Sequence, residues 1–246
     1  MAILVTGGTG TLGRELVPVL RSRDAAVEVL SRHRHPAFRT GDLSTGAGLE
    51  AALHGIDTVV HLAAGKDQAG ETRSLVDAAA RAGVGHLVFI SIVGIDEIPF
   101  AYFRAKLAAE RVVLSSGLGV SVLRTTQFHS FAAAPFLGQR RSPVLFAPRL
   151  RVQPIDVHEV AVRLADLAVG APRGRVADVG GPSVLAGHEL AREVNRQLGW
   201  KKPIVDFALP GGTWAAFTAA HHLVPGNRSG GRTFAAYLAA RSRSPQ

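Results

Sequence analysis

The chain has no cysteine, which removes disulfides, thiolate nucleophiles, iron–sulfur clusters and cysteine-ligated zinc from the chemistry open to it. Redox work would need a borrowed cofactor. Aromatic residues are scarce at 6%; tyrosine stands only at positions 102 and 237, and lysine only at 66, 106, 201 and 202. No apolar run approaches the roughly 20 residues that cross a bilayer. Met1 leads directly into the strand-like Ala2-Ile3-Leu4-Val5, without a basic or cleavable leader. The expectation is a cytoplasmic protein with no membrane partner. There is no Gly-x-Ser-x-Gly elbow, so the simplest hydrolase reading falls. Neither His33 and His35 nor His221 and His222 have the spacing of a metal site, and no metal is expected.

What is present is aliphatic. With 47% hydrophobic and 19% charged residues, the 246-residue chain has ample material for one large α/β core. Its formal net charge of +9 raises the question of nucleic acid. The densest basic groupings, Arg32 to Arg39, Arg140 to Arg151 and Arg241 to Arg243, lack the aromatic pattern of a single-strand binding surface. They read as a solvated basic surface, and nucleic acid is disfavoured as a partner.

Short aliphatic runs at 2–6, 26–31, 57–62, 86–91 and 119–124 alternate with amphipathic stretches at 11–23, 45–54, 71–82 and 101–116. Such alternation predicts βαβ units and a doubly wound parallel sheet, a Rossmann-type α/β fold. Pro135, Pro143, Pro148 and Pro154 punctuate an irregular excursion at about 126–150. Beyond it, strands near 151–155, 175–179 and 203–207 are expected to extend the sheet, with helices near 156–169 and 187–198. The tail from Pro210, with Gly211, Gly212, Gly226, Gly230 and Gly231 around an apolar helix Trp214 to Leu223, reads as a small C-terminal substrate-side lobe at 208–246. The whole of 1–246 is read as a single domain. Trp214, Phe217 and Leu223 are candidates for a homo-oligomer contact or a pocket wall.

Gly7-Gly8-Thr9-Gly10-Thr11-Leu12-Gly13 follows the first strand and opens the first helix. Glycine at 7 and 10 lets backbone turn tightly and approach a pyrophosphate, Gly13 lets helix pack on strand, and the helix start offers free N–H donors. A dinucleotide is the expected ligand, bound by Gly7, Thr9, Gly10, Thr11, Leu12 and Gly13. The second strand ends in Ser31-Arg32, where an NAD-selective protein places an acid for the ribose hydroxyl. A guanidinium there pairs with a 2′-phosphate, so NADP(H) is expected over NAD(H), with Arg34 as a helper.

The Gly7-x-x-Gly10-x-x-Gly13 spacing resembles the short-chain dehydrogenase/reductase superfamily, and the remaining segments are most similar to its atypical NmrA-like branch. The resemblance implies that Asp42-Leu43 contacts adenine and that Ala63 and Ala64, within His61-Leu62-Ala63-Ala64-Gly65, line the ribose and diphosphate. It implies a catalytic pair in Tyr102-Phe103-Arg104-Ala105-Lys106, whose i, i+4 spacing puts both side chains on one helix face. Tyr102 would give a proton to a carbonyl oxygen, while Lys106 would favour the phenolate and hold the nicotinamide ribose. The family's catalytic Ser or Thr aligns with Ile92, leaving Ser91, one residue earlier, as the candidate hydroxyl. Phe128 and His129, after the fifth long strand, would border the nicotinamide, and Asp156 would cap a helix. The leading expectation is an NADPH-dependent reductase of a small apolar carbonyl or quinone. A cofactor-sensing regulator without turnover stands beside it, and a sugar-nucleotide epimerase or dehydratase is the weaker third.

Overall fold

The structure, a computed structural model, describes residues 1–229 and 231–243; Gly230, residues 244–246 and the side chains at 242 and 243 lie outside the described residues. The elements run β1 (Ala2–Thr6), α1 (Thr11–Arg21), β2 (Ala26–Ser31), β3 (Arg39–Thr40), α2 (Leu49–Leu53), β4 (Thr58–His61), α3 (Gln68–Arg81), β5 (His86–Ile92), α4 (Ala101–Leu114) and β6 (Gly119–Thr125). They continue with α5 (His129–Leu137), β7 (Leu145–Pro148), β8 (Arg151–Val152), α6 (Val157–Val169), β9 (Gly174–Arg175) and β10 (Leu185–Ala186). The last are α7 (Gly187–Leu198), β11 (Ile204–Phe207), α8 (Gly212–Thr218) and α9 (Phe234–Arg243).

Among the described residues, seven strands form the central sheet in the order β3-β2-β1-β4-β5-β6-β9. It is the expected doubly wound parallel Rossmann sheet. Strands such as β1, buried along four of its five residues, and β4, buried throughout, show no polar-out alternation because helices cover both faces. The chain reverses direction across the sheet between β1 and β4, which opens a crevice beyond their carboxyl ends. Register places Thr6 beside Leu30 on one side and His61 on the other, so three strands end together at that crevice.

Two compact units emerge. The first comprises residues 1–91, 101–124 and 160–177. It centres on fully buried Leu4, Val59, Leu75, Leu87, Phe89 and Val122, each a side chain whose burial contributes about 1.5–3 kcal/mol. The second comprises residues 92–100, 125–159 and 178–246, with its own core of Ala133, Phe136, Leu145, Ala191, Val194 and Leu238.

Three expectations are corrected. The segments at 151–155 and 203–207 do not extend the central sheet: β8 pairs antiparallel with β10, and β11 pairs parallel with β7, while only β9 joins as an edge. Pro148, Pro154 and Pro203 lack the N–H that a continuing ladder requires, which keeps these strands short. The tail helix is α8, ending at Thr218 rather than Leu223, because Ala220 takes a left-handed φ of 68°. A further helix, α9, was not anticipated; it sends Phe234 and Leu238 into the second core. Among the described residues, no helix is long and apolar enough to cross a membrane.

Candidate functional site

A cavity of about 400 Å³ lies at the carboxyl ends of β1, β2 and β4. Its walls are Thr6, Gly7, Thr9 and Gly10 after β1; Leu30, Ser31, Arg32 and His33 at the end of β2; Gly41 to Ser44; and Leu62 to Gly65 after β4, with Glu71 from α3. Nine of the residues expected to bind cofactor therefore come together in one place: Gly7, Thr9, Gly10, Ser31, Arg32, Asp42, Leu43, Ala63 and Ala64.

The floor of this cavity is backbone. Gly7 adopts φ +69°, which side chains disfavour, and a Cβ there would sit 2.9 Å from the Ala63 nitrogen. A Cβ at Gly13 would lie 2.5 Å from the Gly8 Cα, so α1 can press on the turn only if this residue is glycine. The Gly10 N–H donates to the Gly7 carbonyl at 3.0 Å, and the Arg14 Nε–H donates to the Thr9 carbonyl at 2.8 Å, fixing the loop from both sides. Gly10 stands at the start of α1 in extended conformation without a side-chain cap, leaving the helix's first N–H groups for an anion. This cradle fits a dinucleotide diphosphate. Leu12 and Gly13 are buried and Thr11 is exposed; none of the three lines the cavity, and they belong to the helix that shapes it.

Charge at the far end is arranged by Arg32 and Asp42. Asp42 Oδ1 accepts from the Ser44 N–H at 2.8 Å and its hydroxyl at 2.7 Å; these bonds, with the nearby Arg32 guanidinium, hold the carboxyl below the usual range. Ser31 is occupied in shaping the strand end, its Oγ accepting from the His33 N–H at 3.1 Å.

Between β1 and β4 a buried relay locks the two walls. Thr6 Oγ1 accepts from the N–H groups of Leu62 and Ala63, both at 3.2 Å, so its own proton goes to His61 Nδ1 at 2.7 Å. The other ring nitrogen then carries the hydrogen and donates to Thr72 Oγ1 at 3.0 Å, and Thr72 donates to the Gln68 carbonyl at 2.6 Å. Burial, helped by the charge of Lys106, pushes His61 down to about 3, so it stays neutral. Sequence reasoning found the segment but not this role for its histidine.

On α4, Lys106 is only 4% exposed, with Nζ 4.3 Å from the centre of the Phe89 ring. Burial lowers it to about 8, opposed by the negative charge of Glu110. Tyr102 sits in the first turn, 45% exposed. The expected lowering of Tyr102 by Lys106 is corrected: partial burial of the phenol raises it instead. Lys106 turns its ammonium toward Phe89 and the core, where its field falls on His61.

Ser91 is also corrected as a substrate contact. Its side chain is buried and its hydroxyl donates to Glu110 Oε2, because a residue one place along a strand faces the opposite side of the sheet. Glu110 in turn meets Arg124, with Nε–H bonds of 3.1 and 3.0 Å to both carboxylate oxygens and an Nη2 bond of 2.5 Å. This buried pair was missed, although an arginine inside the apolar run Val120 to Thr125 and a glutamate four residues after Lys106 were visible signals.

In the second unit, Phe128 is half-buried at the start of α5, its backbone bridged to Ile155. His129 is held structurally: Nε2 donates to the Arg232 carbonyl at 2.7 Å and the ring stacks on Tyr237 at 5.4 Å. Asp156 caps α6, accepting from the His158 N–H at 2.8 Å.

The sheet order, the crevice and the glycine cradle define a dinucleotide-binding Rossmann protein. Residues 7–166 match the NAD(P)H-binding family, and the chain belongs to that family. A reductase of (4-alkanoyl-5-oxo-2,5-dihydrofuran-3-yl)methyl phosphate from Streptomyces griseus is 33% identical over 213 residues, covering 80% of this chain and 74% of that protein. An NAD(P)H azoreductase of Xenophilus azovorans is 29% identical over 211 residues, with 80% and 74% covered. The fold is also that of the NADPH complex of an Escherichia coli NADPH-dependent quinone oxidoreductase, with a TM-score of 0.84 at 18% identity over 98% of this chain and 100% of the other.

Proposed function

We propose that this protein is an NADPH-dependent reductase of a small, apolar carbonyl or quinone, in the NmrA-like branch of the short-chain dehydrogenase/reductase superfamily. The observation that carries the reading is the diphosphate cradle with an exposed arginine, Arg32, at the end of β2; Tyr102 and the buried Lys106 stand one turn apart on α4, outside the lining of that cavity. Relatives that reduce a butenolide phosphate and azo compounds support the reaction class.

When bound, the cofactor supplies a hydride to the substrate carbon. The chain's part is to place and protonate. Gly7, Thr9 and Gly10 hold the diphosphate, Arg32 takes the 2′-phosphate, and Asp42 and Leu43 border the adenine. Tyr102 gives its phenolic proton to the substrate oxygen, and Lys106, one turn along α4 with its ammonium buried over Phe89, supplies the positive charge behind it. With Ser91 bound to Glu110, no serine hydroxyl is assigned to the substrate oxygen. Tyr102→Phe should reduce substrate-dependent NADPH oxidation by about 10²–10⁴-fold while leaving NADPH affinity nearly intact. Undiminished turnover in that variant would end the reading.

The engagement of Ser91 by Glu110, with Ile92 at the position where the family resemblance implies a hydroxyl, favours one second reading: a cofactor-sensing regulator that binds NADP(H) without turnover. Tight NADPH binding with no oxidation across a broad quinone and carbonyl panel would select it.

A further inference from the structure

The face of α4 that carries Tyr102 and Lys106 continues one turn further to Glu110, an i, i+4, i+8 stripe that runs from the exposed first turn into the core. Glu110 is 1% exposed, and a buried carboxylate is costly unless its charge is used. Here it is claimed from three directions: Arg124 binds both oxygens, Ser91 caps one, and Lys106 lies one helical turn away.

We propose that Glu110 is a positioning residue for Lys106: its carboxylate, bound by Arg124 and Ser91 one helical turn from the buried lysine, sets the counter-charge on the lysine and thereby the upper pH limit of the site. This rests on the reductase reading of Tyr102 and Lys106. The other groups around Lys106 leave the control to this carboxylate. From β4 comes His61, held neutral by burial, and from β5 come the uncharged Phe89 and Ser91. On α3 the inward residues Thr72, Leu75 and Val76 are uncharged, Arg73, Asp77 and Arg81 are exposed, and Glu71 turns to the cofactor cavity. Tyr102, on α4 itself, is neutral below its raised titration range. Among the described residues, only Glu110 and, through it, Arg124 on β6 bring charge of either sign from inside. Burial alone would drive the ammonium toward its neutral form, and Glu110 is the group that opposes this.

The arrangement makes two substitutions act in opposite directions. Glu110→Gln removes the counter-charge and should lower the Lys106 midpoint by about one pH unit or more. Arg124→Met removes the competing cation, leaving the carboxylate to Lys106, and should raise it. The chain has four lysines, at 66, 106, 201 and 202, so a protein labelled with ¹³C at lysine Cε gives four signals, and Lys106→Arg identifies the one that matters. In the unsubstituted protein that signal should titrate near 8. The alkaline limb of kcat/KM for NADPH oxidation should move with it in each variant.

Because Glu110→Gln removes the opposite charge that Arg124 meets in the core, the double variant Glu110→Gln, Arg124→Met serves where the single one does not fold; it should still titrate below the unsubstituted protein. Midpoints that stay within about 0.2 unit, or that move the same way in both single variants, overturn the proposal. Turnover with an unmoved midpoint sinks this proposal alone. A midpoint that moves as expected in a protein without turnover sinks the reductase reading and leaves the control of Lys106 by Glu110 standing.

Discussion

Arg124 and Glu110 meet with the guanidinium edge against the carboxylate, both at most 4% exposed, in a buried pair. Such a pair is weak evidence of net stability, because desolvating two ions costs about as much as their attraction returns. Breaking it is another matter. Arg124→Met or Glu110→Ala alone leaves one buried ion without the opposite charge it meets in this pair, and each should cost about 3–5 kcal/mol in urea unfolding. Replacing both with apolar residues of matched volume should recover most of that loss. Additive losses would mean that the two side chains do not act as a unit.

His61 predicts an acid limb to stability. Its folded value of about 3 lies below the unfolded 6.5, so below 6.5 the unfolded chain binds a proton that the folded one refuses. The stabilisation is complete above 6.5 and is lost as pH falls toward 3, at up to about 1.4 kcal/mol per pH unit. His61→Asn can still accept from Thr6 but does not titrate there. Urea unfolding between about pH 7 and pH 5 should show a flatter slope for the variant. Parallel slopes would mean that His61 is not held neutral.

These two networks also mark where the sequence stopped being legible. The aliphatic runs and the Gly7-x-x-Gly10-x-x-Gly13 turn announced the central sheet and the cradle, since both depend on local pattern. Arg32, Asp42 and Ala63 could be placed at the crevice for the same reason: each stands at or just beyond a strand's carboxyl end. The fate of Ser91 was not readable, because it depends on which residue faces it across 19 positions of chain. Lys106 was correctly placed on the Tyr102 face, yet its neighbours Phe89 and His61 come from separate strands, so the direction of the Tyr102 shift was misjudged. The paired strands β7 with β11 and β8 with β10 were beyond reach too, being short and joined only by contacts distant in sequence.

At Gly13 the sign of a familiar substitution should invert. Glycine to alanine inside a helix ordinarily stabilises by about 0.5–1 kcal/mol. Here the new methyl would lie 2.5 Å from the Gly8 Cα, against backbone that has no flexible end to move aside. Gly13→Ala should therefore destabilise the protein and weaken NADPH binding together, since α1 must back away from the turn. Thermal unfolding and calorimetric titration would show both; a more stable variant with intact binding would mean that helix and turn are not in contact.

Arg32 gives the sharpest test of cofactor choice, because a guanidinium recognises the 2′-phosphate and has no such partner in NADH. The side chain is exposed, so solvent screening limits the pair to the lower part of the range for charge-assisted bonds, about 1.5–3 kcal/mol. Arg32→Ser should then weaken NADPH binding about tenfold and leave NADH binding nearly unchanged. Asp42 sharpens the contrast: freed of Arg32, its carboxylate repels the phosphate dianion but not a ribose hydroxyl, which can donate to it. Adding Asp42→Asn to Arg32→Ser should therefore restore part of the lost NADPH affinity. Titration calorimetry with both coenzymes decides the matter, and an equal loss for NADH and NADPH would place Arg32 outside 2′-phosphate recognition.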